Sequence, residues 1–148
     1  MKKAIEIKNL NKYYKDFHAL DNVSLNVYEG DIYGLIGKNG AGKTTLFKQI
    51  LGLSNYQDGE ISILSSKGND ELRLASKDIG FYINPSFFPY LNAKDNLEYY
   101  RLLKGIDDKN EVDRVLKIVE LENVNNPFKS FSMGMKQRLG TANAIMRN

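Results

Sequence analysis

Gly37-Lys38-Asn39-Gly40-Ala41-Gly42-Lys43-Thr44 follows the apolar run Ile32-Tyr33-Gly34-Leu35-Ile36 and leads into Thr45-Leu46-Phe47-Lys48-Gln49-Ile50-Leu51. The order reads as strand, glycine-rich loop, helix. The spacing Gly-x-x-x-x-Gly-Lys-Thr is that of a phosphate-binding loop, and a strand before it and a helix after it are its proper setting. Glycines let the backbone curl until successive N–H groups point at one anion. The helix that follows brings its positive N-terminal end to the same spot. Lys43 supplies a point charge for the outer phosphates. Thr44 supplies a hydroxyl for Mg2+, which takes few protein ligands beside phosphate oxygens and waters. Gly37, Lys38, Asn39, Gly40, Ala41, Gly42, Lys43, Thr44 and Thr45 are therefore the expected nucleotide-binding segment.

Outward from the loop, the chain reads first as strands and then as helices. Ile32 to Ile36 is nearly continuous in apolar residues, the expectation for a strand covered on both faces. Leu46, Phe47, Ile50 and Leu51 form one helical stripe, with Gly52 placed to end the helix. Ala4 to Leu10 and Val23 to Val27 alternate apolar and polar residues as half-buried strands do. Glu60 to Leu64 predicts a short strand, Ser65 to Asp70 a loop, and Ile79 to Ile83 another buried strand that Pro85 and Pro89 forbid continuing. After Asn92, the residues Leu97, Tyr100 and Leu103 suggest a helix. Val112, Val115, Leu116 and Val119 make an i, i+3, i+4, i+7 stripe, and Asp108 with Glu111 predicts a capping box at its start. A last helix is expected from Ser132. The fold class is α/β, with a helical subdomain beginning near residue 86.

Composition narrows the chemistry. The 148 residues contain no cysteine and one histidine, His18, which excludes disulfides, thiolate-held metals, thiol nucleophiles and multi-histidine metal sites. No apolar run approaches the ~20 residues that span a bilayer. Met1-Lys2-Lys3-Ala4 leads at once to Glu6 and Lys8, without a signal-peptide core, so a cytosolic chain is expected. The net charge is +3, and the lysines are spread along the chain instead of forming a stripe, so no nucleic-acid partner is expected.

Ala19-Leu20-Asp21-Asn22-Val23-Ser24-Leu25 and the stretch from Glu29 to Leu46 resemble the nucleotide-binding domain of ABC transporters, and the resemblance runs from Ile5 onward. Phe131-Ser132-Met133-Gly134-Met135-Lys136-Gln137-Arg138 is similar to that family's signature segment, commonly Leu-Ser-Gly-Gly-Gln; the variant found here is like that of bacterial antibiotic, bacteriocin and drug exporters. The resemblance implies a P-loop NTPase core of ABC type with N-terminal antiparallel strands. Residues 1–85 would be the β-rich P-loop core, 86–131 the helical subdomain and 132–148 the signature helix. It implies ATP and Mg2+ as cofactors, Mg2+ being held by Thr44 through the nucleotide. Tyr14 would stack on adenine, with Tyr13 the neighbour that competes for that role. Asn84 falls where the family's Q-loop carries glutamine; it is one methylene shorter, and it reads equally as the start of the Pro85 turn. Ser132, Met133, Gly134 and Met135 would face the γ-phosphate held by a second nucleotide-binding domain in a head-to-tail dimer. Phe87 and Phe88 read either as a surface for a transmembrane permease subunit or as a cap on the subdomain's own core. His18 is expected to be a loop residue.

Phosphoryl transfer also needs an aspartate at the end of a buried strand and a group that orients water. Asp70-Glu71 and Asp107-Asp108 lack a buried strand before them. In family terms those groups follow the signature helix. No catalytic residue is therefore expected within the chain, and the central sheet is expected to be incomplete. The expectation is a piece of a longer ATP-hydrolysing subunit, cytoplasmic and peripheral on the inner face of the membrane, coupling ATP to export. Two alternatives stand beside it: a catalytically inactive fragment that at most binds nucleotide, and a non-transport ABC ATPase acting on ribosomes or DNA.

Overall fold

The computed structural model describes residues 2–67, 69–75, 79–83 and 86–147. The backbone divides into two units, Met1–Ile79 and Gly80–Asn148.

The first unit is built on a hairpin. Strand β1 (Lys3–Tyr14) and strand β2 (Phe17–Tyr28) run antiparallel, and Tyr14 faces Phe17 across the two-residue turn. The alternation read from the sequence breaks at Asn9. Between Ile7 and Leu10 the register takes an extra residue on β1, and between Leu10 and Lys12 an extra residue on β2 restores it. Asn9 and Asn22 both sit at φ 48°, a left-handed conformation that asparagine tolerates better than most residues. The first bulge moves the inward phase from Ile7 to Leu10 and Lys12, all three of them buried.

Strand β3 (Asp58–Ile63) joins β1 on its other edge, and β4 (Ser66–Lys67) closes the antiparallel order β2-β1-β3-β4. The expected loop from Ser65 to Asp70 is instead the end of a hairpin and the start of a helix. Leu64 at φ 48° and Ser65 at φ 76° form the two-residue turn, and Ile63 pairs with Ser66. Such turns need two positive φ values and usually advertise themselves by Asn-Gly; Leu-Ser gives no such signal. Helix α2 (Asn69–Ala75) follows, with Asp70 and Glu71 in its first turn, where acidic groups suit the helix dipole.

Helix α1 (Lys43–Ile50) lays Leu46 and Ile50 on a core shared with Ile7, Leu10, Leu20, Ile61, Ile63 and Leu72. Phe47 of the expected stripe is about half exposed. The helix ends as Gly52 was expected to end it: the Gly52 and Leu53 amides return to the carbonyls of Gln49 and Lys48 at 3.0 and 2.9 Å.

Two expected strands are not found. Residues 32–36 form no ladder among the described residues, and Ile32 and Ile36 are fully exposed while Leu35 touches the core. Residues 79–83 likewise form no ladder. An apolar run reports that a segment favours burial but does not supply neighbours on its two hydrogen-bonding edges. The strands that do pair make one antiparallel sheet, so the central sheet of the expectation is missing these members.

The second unit packs helices α3 (Ala93–Leu103), α4 (Glu111–Ile118) and α5 (Met133–Ile145) around Leu97, Val112, Val115, Leu116, Phe131 and Leu139. The expected stripe on α4 is buried. The expected capping box is not formed. Asn110 occupies the cap, Asp108 Oδ1 accepts from the Asn110 amide at 2.8 Å, and the Glu111 carboxylate turns away to Arg114 at 2.6 Å. A guanidinium one turn along outbids the backbone for that carboxylate because both partners are charged. Among the described residues no helix is long and apolar enough to cross a membrane.

Candidate functional site

Gly40 and Gly42 take φ +84° and +85°, and the loop between them delivers the chain into α1. Among the described residues no side chain caps this helix. The amides of its first turn have no carbonyl four residues back to bond, so they are left for an anion. Gly42 is set by the neighbouring hairpin as well as by its own φ. A Cβ there would lie 2.4 Å from the Ala19 carbonyl oxygen and 3.0 Å from the Leu20 side chain. Lys43 folds back over the loop and donates to the carbonyls of Gly37 at 2.5 Å and Lys38 at 2.8 Å. Its ammonium thus hangs over the loop, where phosphate oxygens could replace those carbonyls.

One cleft of about 390 Å3 is lined by Asn39, Gly40, Ala41, Gly42, Lys43, Thr44 and Thr45 of the loop and by Tyr14, Phe17 and Ala19 of the hairpin. That size lies within the about 300–1,000 Å3 usual for small-molecule sites. The loop offers amides, an ammonium and hydroxyls; the hairpin offers two aromatic rings. No carboxylate lines it. Nor does any cluster of His, Asp or Glu able to hold a metal occur among the described residues. The donor set therefore fits a polyanion that brings its own cation: Thr44 would supply one ligand to Mg2+, and phosphate oxygens and waters the rest. A smaller depression of about 270 Å3 on the sheet, near Glu6, Lys8, Glu60 and Lys67, mixes both signs of charge and has no part of the loop.

Tyr14 is the last residue of β1, not a loop residue, and it is about half exposed. Tyr13 is committed elsewhere. Its ring stacks on His18 with centroids 4.0 Å apart and planes 13° from parallel. His18, expected in a loop, is on β2, and its Nε2 lies 3.1 Å from Asn11 Oδ1. Phe17 was not foreseen. The available signal was an aromatic residue three positions after Tyr14, across a turn short enough to bring both to one hairpin tip.

In the second unit, Ser132 caps α5: its Oγ accepts from the Met135 amide at 3.2 Å. Met133 is exposed, a Cβ on Gly134 would meet the Ser132 hydroxyl oxygen at 4.0 Å, and Met135 is half-buried against the core. Arg138 has a structural task, donating to the Val119 and Glu120 carbonyls at 3.1 and 3.3 Å at the end of α4. Asn84 lies outside the described residues. Phe87 is buried against Tyr100 and Phe128, whereas Phe88 and Tyr90 are exposed. Sequence reading missed Asn96. It is fully buried, and it holds the Phe88–Asn92 segment through the Phe88 amide and the carbonyls of Phe88, Leu91 and Asn92 at 2.8–3.1 Å.

The sequence profile of the ABC transporter family matches residues 20–148. The bacitracin transport ATP-binding protein BcrA of Bacillus licheniformis is 38% identical over 148 residues, covering 99% of this chain and 48% of that protein. The methionine import ATP-binding protein MetN of Clostridium tetani is 36% identical, covering 95% of this chain and 47% of its own length. Among solved structures, a dimeric ATP-binding cassette in a post-hydrolysis state, bound to ADP and Pi, superposes with a TM-score of 0.81 at 31% identity, over 96% of this chain and 69% of that one. The chain spans about half the length of the curated relatives it matches. The profile match together with the loop, helix and hairpin geometry places it plainly: the chain belongs to the ABC transporter family, among its ATP-binding cassettes.

Proposed function

We propose that this chain carries the nucleotide cradle and signature helix of an ATP-binding subunit that drives export through a membrane permease. ATP lies along the cleft of the first unit. Adenine stacks on Tyr14, the phosphates take the amides of residues 37–45, and Lys43 exchanges its loop carbonyls for the outer phosphate oxygens. Mg2+, arriving with the nucleotide and touching Thr44, would neutralise phosphate charge. Ser132, Met133, Gly134 and Met135 then serve the nucleotide of a second copy in a head-to-tail dimer, because the start of α5 offers amides and a positive dipole end to a phosphate. Asn84 stands at the coupling loop, and the exposed rings of Phe88 and Tyr90 meet the permease at the cytoplasmic face of the membrane. The export direction is supported by the Phe131–Arg138 variant of the signature segment.

The observation that carries the reading is the cleft that the Lys43 loop and the Tyr14–Phe17 hairpin line together. Calorimetric titration of the chain with Mg2+ and ATP tests it. Lys43→Ala removes a charge-assisted contact and should weaken binding by about tenfold or more. Equal affinity of the two proteins would overturn the reading.

A further inference from the structure

We propose that Lys12 is a positioning residue for nucleobase recognition: it holds the Tyr14 ring from behind and, through that ring, tightens the grip on a purine. The inference deepens the nucleotide reading above and rests on it.

Lysine is rarely buried without a partner, yet Lys12 is only 8% exposed. The bulge at Asn9 accounts for its place. By shifting the phase of β1 it puts Lys12 on the inward side with Leu10, and residues two apart on a strand share a face, which sets Lys12 beside Tyr14. The ammonium donates to the Asn55 carbonyl and sits 5.0 Å from the centroid of the Tyr14 ring. Tyr14 lines the nucleotide cleft and Lys12 does not. With the ammonium over one face of the ring and Lys12 outside the cleft lining, the base would meet the other face.

The strand end beneath the ring is also tied down. The Tyr13 amide donates to Gln57 Oε1 at 3.1 Å, and Gln57 Nε2 donates to the Tyr13 carbonyl at 3.4 Å, so a side chain continues the β1–β3 pairing where the backbone has stopped. Asn55 and Gln57 belong to one short segment, which thus anchors both Lys12 and Tyr13.

Two consequences follow for a base in the cleft. A cation on one face draws π density toward itself and leaves the opposite face poorer in electrons, which suits stacking on an electron-rich purine. A ring already held in place also loses less freedom when the base arrives. Phe17, 62% exposed at the tip of the hairpin, lines the same cleft.

Calorimetry with Mg2+ and two ligands, ATP and inorganic tripolyphosphate, separates this role from a structural one. Lys12→Met keeps most of the aliphatic stem. It should weaken ATP binding by about two- to fivefold and leave tripolyphosphate affinity unchanged, which also shows that the fold is intact. Lys12→Arg should retain ATP affinity. In a Tyr14→Ala background, Lys12→Met should have no further effect on ATP. Equal loss for both ligands, or an undiminished loss in the Tyr14→Ala background, overturns the proposal. Failure of the nucleotide reading has a different mark, tripolyphosphate affinity indifferent to Lys43→Ala, and it would overturn the proposal as well.

Discussion

The Cα of Gly42 lies so near Ala19 that an added Cβ would stand 2.4 Å from the Ala19 carbonyl oxygen. The phosphate-binding loop and the hairpin that carries Tyr14 are thus in backbone contact at this point. Gly42→Ala meets that contact and a φ of +85°, whereas Gly40→Ala meets only a φ of +84° and open space. The backbone strain alone costs about 1–3 kcal/mol at either site. Gly42→Ala should therefore unfold at clearly lower denaturant than Gly40→Ala. Matching midpoints would show that the loop does not rest on β2.

Asn96 makes a prediction about the second unit. Its side chain, wholly buried, accepts from the Phe88 amide and donates to three carbonyls of residues 88–92. Asn96→Ala strands the Phe88 amide, while the carbonyls of Phe88, Leu91 and Asn92 keep the backbone amides of residues 91, 128 and 96, so it should cost about 1–3 kcal/mol, the penalty for one group that water cannot reach. Asn96→Asp preserves the shape but turns an acceptor toward carbonyl oxygens, so it should be no milder at neutral pH. Urea unfolding of the two variants checks this; a near-neutral Asn96→Asp would contradict it.

Glu111 gives the pH dependence. The Arg114 guanidinium bound to it holds its carboxyl below the ordinary 4.5; the Arg147 amide adds to this, and burial opposes it. A carboxyl depressed in the folded state contributes stability that is fully present above its unfolded value and is lost as pH falls through the folded one. Glu111→Gln should therefore lower the melting temperature at pH 7 and matter progressively less as the pH drops below 4.5. A difference in melting temperature that stays constant from pH 7 to pH 3 would show that the Glu111–Arg114 pair is not the source.

The glycine-rich loop was legible because most of its geometry is local: glycines, a lysine and a threonine at fixed spacing specify the turn, and only the contact of Gly42 with Ala19 comes from elsewhere in the chain. The stripe of α4 and the Ser132 cap were legible for the same reason. Ile32 to Ile36 was not, because a run of apolar residues states a need for burial and leaves the partner unnamed. The Leu64-Ser65 turn was hidden by residues that seldom adopt positive φ. Asn96 was hidden because its partners lie in the loop before its helix, where helical periodicity carries no information. Lys12 was hidden by a bulge that no alternation pattern announces.

Photolabelling with 8-azido-ATP in the presence of Mg2+, followed by peptide mapping, tests most directly that one nucleotide spans the Lys43 loop and the hairpin tip. The azide on the purine should mark the peptide containing Tyr14 and Phe17, and with nucleotide below saturation Lys43→Ala should cut that label about tenfold or more although it lies on the loop and not on the hairpin. Labelling elsewhere in the chain, or labelling of the hairpin that is undiminished in Lys43→Ala, would contradict the account.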